Sequence, residues 1–178
     1  GGGGRRGGGG GGGGGKGSGG EGRECGGGEC QDLPQLILGG GAAGGGKSYL
    51  GSCWIISSCI RFDNIRAVVA RKTIKSLKES TFNTIKTILK TWGLKEGVNY
   101  KINNLEGTVT FWNDSVILLK EMVDLPSDPN FERFGSSEYT IAFVDEVSEI
   151  SERAIEVLFS RLRWRTHETF KTPRMFMS

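Results

Sequence analysis

No apolar run in these 178 residues approaches the roughly 18–20 residues of a membrane span. The amino terminus also lacks the apolar stretch of a secretory signal. Both gaps argue against an integral membrane protein or a secreted one. Histidine is almost missing, His167 being the single example, which leaves little from which to build a zinc site. The four cysteines compose no framework. Cys25 and Cys30 have four residues between them, not the two of a metal knuckle. Cys53 and Cys59 lie in an apolar segment, where free cysteine behaves as a small hydrophobe. The thiols read as reduced and the compartment as cytoplasmic. An excess of one charge is lacking too: 23 basic against 20 acidic side chains give +3, which permits a nucleic-acid partner without arguing for one.

Hydrophobic residues are scarce at 36%, against an average of about 45–50% that counts glycine as apolar. Position explains the shortfall, because 20 of the 31 glycines fall in residues 1–30. Residues 1–30 therefore read as a low-complexity tail that cannot bury a core. Its scattered Arg5, Arg6, Lys16 and Arg23 would make either a basic arm touching phosphate or a plain linker, and the linker is the expectation. Residues 31–178 have ordinary composition and suffice for one domain.

Within that domain Leu36-Ile37-Leu38 is a short apolar run stopped by glycines, as a buried strand entering a loop would be. Ser48 to Ile60 predicts a buried helix, and Ala67-Val68-Val69-Ala70 a second buried strand. Residues 74–92 carry helical spacing through Ile74, Leu77, Phe82, Ile85, Ile88 and Leu89, with Gly93 at the expected C-cap. Two strand-like runs flank Asn113-Asp114, a hairpin signature. Tyr139 to Val144 predicts a third buried strand, Glu152 to Arg163 a helix, and Arg174 to Ser178 the start of a fourth strand. Alternation of strands and helices implies an α/β fold, a mainly parallel sheet flanked by helices, here with a β-hairpin insertion. Ending on a strand suggests a chain that continues in its natural form, so the domain is expected to be truncated at its C-terminal end.

Two motifs carry chemistry. Gly41-Ala42-Ala43-Gly44-Gly45-Gly46-Lys47-Ser48 fits the phosphate-loop pattern, between an apolar strand and a helix. Small residues let consecutive N–H groups turn toward phosphate oxygens, at the positive end of the next helix. Lys47 then reaches the β- and γ-phosphates of ATP, and the Ser48 hydroxyl is a Mg²⁺ ligand. Downstream, the strand ending at Val144 delivers Asp145 and Glu146 to the edge where open α/β sheets place ligands. Asp145 would hold Mg²⁺ through its water shell, and Glu146 would orient and deprotonate the attacking water. An adjacent glutamate favours a hydrolase, since a kinase must avoid activating water.

With these motifs in order, residues 35–178 resemble the ATPase half of the tailed-phage terminase large subunit. Matching stretches are Leu38-Gly39-Gly40 entering the phosphate loop, Val68 to Thr73, and the hairpin around Asn113. Arg133-Phe134-Gly135 and Leu158 to Arg163 follow, and Met175 to Ser178 resembles the strand leading to the family's coupling motif. The resemblance implies an ASCE-type P-loop NTPase fold and an ATP-hydrolysing motor that moves double-stranded DNA into proheads. It further implies a homo-oligomeric ring, a portal protein and a small terminase subunit as partners, no membrane, and a place in the host cytoplasm docked transiently on the prohead. Arg133 would be an arginine finger reaching a neighbouring subunit, and Ser178 a coupling residue. Departures exist: Ala43 stands where many terminases have arginine, Gly45 where serine is frequent, and no nuclease domain with its acidic two-metal cluster is present.

Read from its residues alone, Arg133 is open between that finger and a solvated loop charge, and Arg71 between sensing phosphate and pairing with a carboxylate. Arg161, Arg163 and Arg165 are expected to be a solvated helix end rather than a DNA or subunit contact. Lys72, Lys75 and Lys78 read as surface charge. Gln31 and Gln35 are candidates to touch adenine. The rival readings are a helicase, a nucleotide kinase, or a nucleotide-binding scaffold without turnover.

Overall fold

The computed structural model describes residues 36–38, 46–134 and 137–178. The tail, Gln31, Gln35, Gly39 to Gly45 and Gly135 lie outside the described residues. Strand β1 (Leu36–Leu38) precedes the phosphate loop, and α1 (Gly46–Arg61) follows it. Then come β2 (Arg66–Arg71), α2 (Ile74–Glu79) and α3 (Thr81–Thr91). A meander of β3 (Tyr100–Asn103), β4 (Thr108–Phe111) and β5 (Val116–Glu121) leads through a long loop to β6 (Ile141–Val144). The chain closes with α4 (Glu152–Ser160), a short α5 (Thr166–Thr169) and β7 (Arg174–Met177).

The strands form one mixed sheet ordered β1-β7-β6-β2-β5-β4-β3, in which the first five run parallel and the last two antiparallel. The hairpin is therefore not an appendage, because its second strand, β5, pairs along the whole of β2. Asp114 makes the turn with a left-handed backbone, φ 62°, and the Asn113 amide bonds the carbonyls at the end of α1.

Strand alternation sends alternate side chains to two cores. Ala67, Val69, Ile141 and Phe143 face α1 and α3, where they meet Ile55, Ile56, Ile85 and Leu89. Val68, Ala70, Ala142 and Val144 face α4 and the loop before β6, against Leu158, Leu162, Phe131 and Phe134. Both faces of the central strands are covered, which is why they read as unbroken apolar runs. At Gly51 a Cβ would overlap the Phe143 ring, so the ring from β6 fills the space that a side chain on α1 would take.

Three expectations need correction. The helix expected over residues 74–92 is two helices, broken at Ser80, whose backbone (φ −109°, ψ −82°) leaves the helical region. Ser80 and Thr81 are poor helix formers whose hydroxyls compete for hydrogen bonds, and the break turns the Thr81 hydroxyl into the molecule. The helix expected to reach Arg163 stops at Ser160. The strand expected from Tyr139 starts at Ile141. The last two share a cause: the backbone of Tyr139 bonds Arg161 and Trp164, tying strand entry to the turn after α4. The C-cap at Gly93 matches its expectation. With φ 75°, Gly93 donates to Lys90 and Leu94 to Leu89, the paired bonds of a Schellman cap.

Candidate functional site

The parallel strands direct their C-terminal ends to one edge, and the elements that start or stop there supply the site. Asp145 leaves β6 in the middle of that edge and is only 1% exposed. A carboxylate so deep requires donors, and they arrive from three elements. The Ser48 hydroxyl, in the first turn of α1, donates to Oδ1 at 2.7 Å. The Ser178 hydroxyl, just past β7, donates to the same oxygen at 2.9 Å. The Thr81 hydroxyl, opening α3, donates to Oδ2 at 2.5 Å.

Arg71, at the end of β2, completes the group. Its guanidinium lies 3.9 Å from Asp145 Oδ2 and makes an ion pair with Glu146 Oε1. Of the two readings open for Arg71, the structure shows the carboxylate pairing. Glu146 has a left-handed backbone (φ 54°, ψ 53°) and opens the short 3-10 turn Val147–Glu149. Such a conformation costs about 1–3 kcal/mol in a non-glycine residue. Hydrogen bonds of Val147 N–H to Ser178 O and Ser178 N–H to Val144 O hold the backbone on either side. The Glu146 side chain is 45% exposed, unlike its buried neighbour.

Ser48, Asp145 and Glu146 thus converge, and Lys47 lies beside Ser48 in the first turn of α1. Gly46 is exposed there with open space around its Cα, while Gly41, Ala42, Ala43, Gly44 and Gly45 lie outside the described residues. Hydroxyl and carboxylate oxygens in one place are the hard donors that suit Mg²⁺, so the residues present fit that ion.

Arg133 is not part of this group. It sits in the 3-10 turn Glu132–Phe134, where its guanidinium bonds Asp128 Oδ2 at 3.1 Å and the Val123 carbonyl. It also lies over the rings of Phe131 and Phe134. Desolvation alone would raise the pKa of Asp128, but the backbone N–H groups of Arg133 and Glu132 and the guanidinium hold its carboxyl below the usual range. Among the other arginines, Arg163 pairs with Glu138, in the segment before β6, and Arg165 with Glu168. All three of Arg161, Arg163 and Arg165 lie past the end of α4 at Ser160, and Arg161 is half-buried rather than solvated, which corrects the expected solvated helix end. Cys53 and Cys59 are free thiols on α1, and burial pushes both up from their ordinary pKa.

Thr81 is the residue that sequence reasoning missed. Motif spacing carries no signal for it, and the available clue was the Ser80-Thr81 pair inside an otherwise regular helical period.

A model of the phage terminase large subunit family matches residues 35–178. A search of curated proteins finds no match. Among solved structures, the large terminase of a thermophilic bacteriophage superposes with a TM-score of 0.63 at 17% identity, covering 82% of this chain and 34% of that one. The same enzyme in complex with ADP gives 0.62 at 18% identity, with 80% and 32% covered. The large terminase ATPase domain of a Thermus phage gives 0.52 at 11% identity, covering 80% and 57%. At these identities the likeness is one of fold. The chain spans about a third of the length of the first of these terminases.

Proposed function

Since the chain belongs to the phage terminase large subunit family, we propose that it is the ATP-hydrolysing part of a motor that drives double-stranded DNA into proheads. One observation carries the reading: the Ser48 hydroxyl and the Asp145 carboxylate meet at 2.7 Å, with Glu146 as the next residue. This is what a site for Mg²⁺ and a nucleotide triphosphate needs at the end of a parallel strand.

In that site Lys47 binds the β- and γ-phosphates from the start of α1, together with the loop of residues 41–46. Ser48 and Asp145 are the residues that would hold Mg²⁺, Asp145 through its water shell, and the ion would supply neutralisation of the charge that develops on the phosphates. Glu146 takes the proton of the attacking water on a carboxylate oxygen. The Glu146 oxygen that faces the Arg71 guanidinium is not turned to water, so the Arg71–Glu146 pair is a resting arrangement that opens before water is activated. The exposed side of Glu146 gives it room to turn.

Arg133 serves a neighbouring subunit in a closed head-to-tail ring. To do so its guanidinium must leave Asp128 and the Val123 carbonyl. The portal protein and small terminase subunit are the further partners, on a prohead in the host cytoplasm. DNA is gripped through backbone phosphate, because translocation along any sequence forbids base readout.

Phosphate release from ATP, measured with and without double-stranded DNA, tests the reading. Release that DNA accelerates supports it. ATP binding without release overturns the motor reading in favour of a switch, and phosphate transfer to an acceptor overturns it in favour of a kinase.

A further inference from the structure

We propose that the turn between β3 and β4, with the lysines around it, is the surface on which this chain grips the phosphate backbone of duplex DNA. The inference rests on the motor reading above and adds the place of contact to it.

Charge is unevenly spread along the chain. Residues 72–106 hold seven lysines against three glutamates, a surplus larger than the +3 of all 178 residues. Taken from their spacing alone, Lys72, Lys75 and Lys78 read as plain surface charge. The fold adds a fourth lysine and a meeting point. Lys72 and Lys75 are exposed before and within α2. The Lys78 ammonium, in the last turn of α2, donates to the Asn104 carbonyl at 2.9 Å. The Lys86 ammonium, from α3, donates to Asn104 Oδ1 at 3.0 Å. Two like charges thus meet on one neutral residue. Among the described residues the ion pairs all belong to arginines, and no lysine of this stretch has a carboxylate partner. Like charges held so near repel each other, and an anion lying against the turn would relieve them.

Local bonds fix the turn. Asn103 Oδ1 accepts from the N–H groups of Leu105 and Glu106 at 3.1 and 3.2 Å, and Gly107 supplies the left-handed φ of 66°. The Gly107 carbonyl accepts from Leu119 N–H, which sets the turn at the edge where β2 and β5 end. That is the edge of the nucleotide site. Arg71 and Thr81, the partners of Glu146 and Asp145, stand on either side of α2. Lysine suits the duty, because its compact charge meets phosphate without the planar fork that reads guanine. Phosphate contacts carry no sequence information, as movement along any sequence requires.

The test is the salt dependence of binding between the full chain and a short labelled DNA duplex, read by fluorescence anisotropy. Each phosphate contact contributes about 0.9 to the slope of log K against log salt. The double variant Lys78→Gln with Lys86→Gln should therefore lower the slope by about 1.8, alike on duplexes of different sequence. Arg163→Gln, which removes an exposed charge elsewhere, should keep the wild-type slope, and an equal fall there overturns the proposal. A double variant that melts cooperatively and keeps the full slope also overturns it. Should that variant fail to fold, Lys72→Gln with Lys75→Gln, both exposed, carries the same test. Loss of binding to polyglutamate with the duplex slope unchanged would assign the surface to an acidic protein and overturn the DNA contact. Phosphate release indifferent to duplex counts against the motor reading, whereas an unchanged slope counts against this surface, so the two failures are told apart.

Discussion

Asp145 and Asp128 both collect several donors, but they collect them from different distances along the chain. Asp145 draws on Ser48, Thr81 and Ser178, which are 97, 64 and 33 residues away. Asp128 draws on Glu132 and Arg133, four and five residues away. The second cluster is a loop folding on itself, with a small loop-closure cost. The first exists only when α1, α3, β6 and β7 stand together at one edge of the sheet. A shift of any of these elements is felt at the Asp145 carboxylate, whereas the Asp128 carboxylate is bonded entirely from within its own loop.

The strongest way to break the contrast is to show that the local loop matters as much to catalysis as the long-range group. Arg133→Ala should retain ATP binding yet lose turnover by a factor of about 10³ or more, the lower end for arginine fingers. Glu146→Gln should likewise bind ATP while turnover falls by about 10²–10⁴, the worth of a general base. Mixing the two inactive variants should partly restore phosphate release, because some subunit interfaces would then pair an intact Glu146 with an intact Arg133. If mixed rings of proven composition stay silent, Arg133 has no role across the interface.

Stability separates the two aspartates next. Asp145→Ala leaves the buried Thr81 hydroxyl without its acceptor and frees those of Ser48 and Ser178. It should lower unfolding free energy by about 1–3 kcal/mol, read from the midpoint of urea denaturation. No loss would mean that those donors find water as readily as carboxylate.

The smallest effect belongs to Asp128. Its carboxyl is held below its unfolded value, so the stabilisation it brings is present above the unfolded pKa of about 3.9 and lost as pH falls through the folded one. Asp128→Asn should therefore be slightly less stable than wild type near neutral pH, and the gap should narrow progressively as melts are taken to pH values below about 3.9. A gap that widens on acidification would show that the Asp128 bonds do not favour the charged form.

The same distinction of near and far explains what was legible in the sequence. Val68-Val69 and Ile141 to Val144 could be read as strands because covering both faces leaves unbroken apolar runs. That Ser48, Asp145 and Glu146 come together at one sheet edge could be read because loop and strand patterns are written locally. The break at Ser80 could not, since Phe82, Ile85 and Leu89 continue the inward face of Ile74 and Leu77 without a gap in period. What settles the break is a carboxylate 64 residues further on. Strand β3 escaped for another reason: four residues with an exposed edge carry too little alternation to stand out.

Gly51 has a mechanical consequence. With no side chain there, the Phe143 ring rests against the backbone of α1 itself, and at this point one rigid aromatic ring is all that separates the helix that begins at the phosphate loop from the strand that ends at Asp145. The contact works as a bearing without play. A rigid ring seated on a helix backbone yields less to a push from α1 than a seam of flexible side chains would. In a motor, stiffness at this joint decides how much of each chemical step emerges as motion, and even a single methyl group at Gly51 would pry the two halves of the site apart.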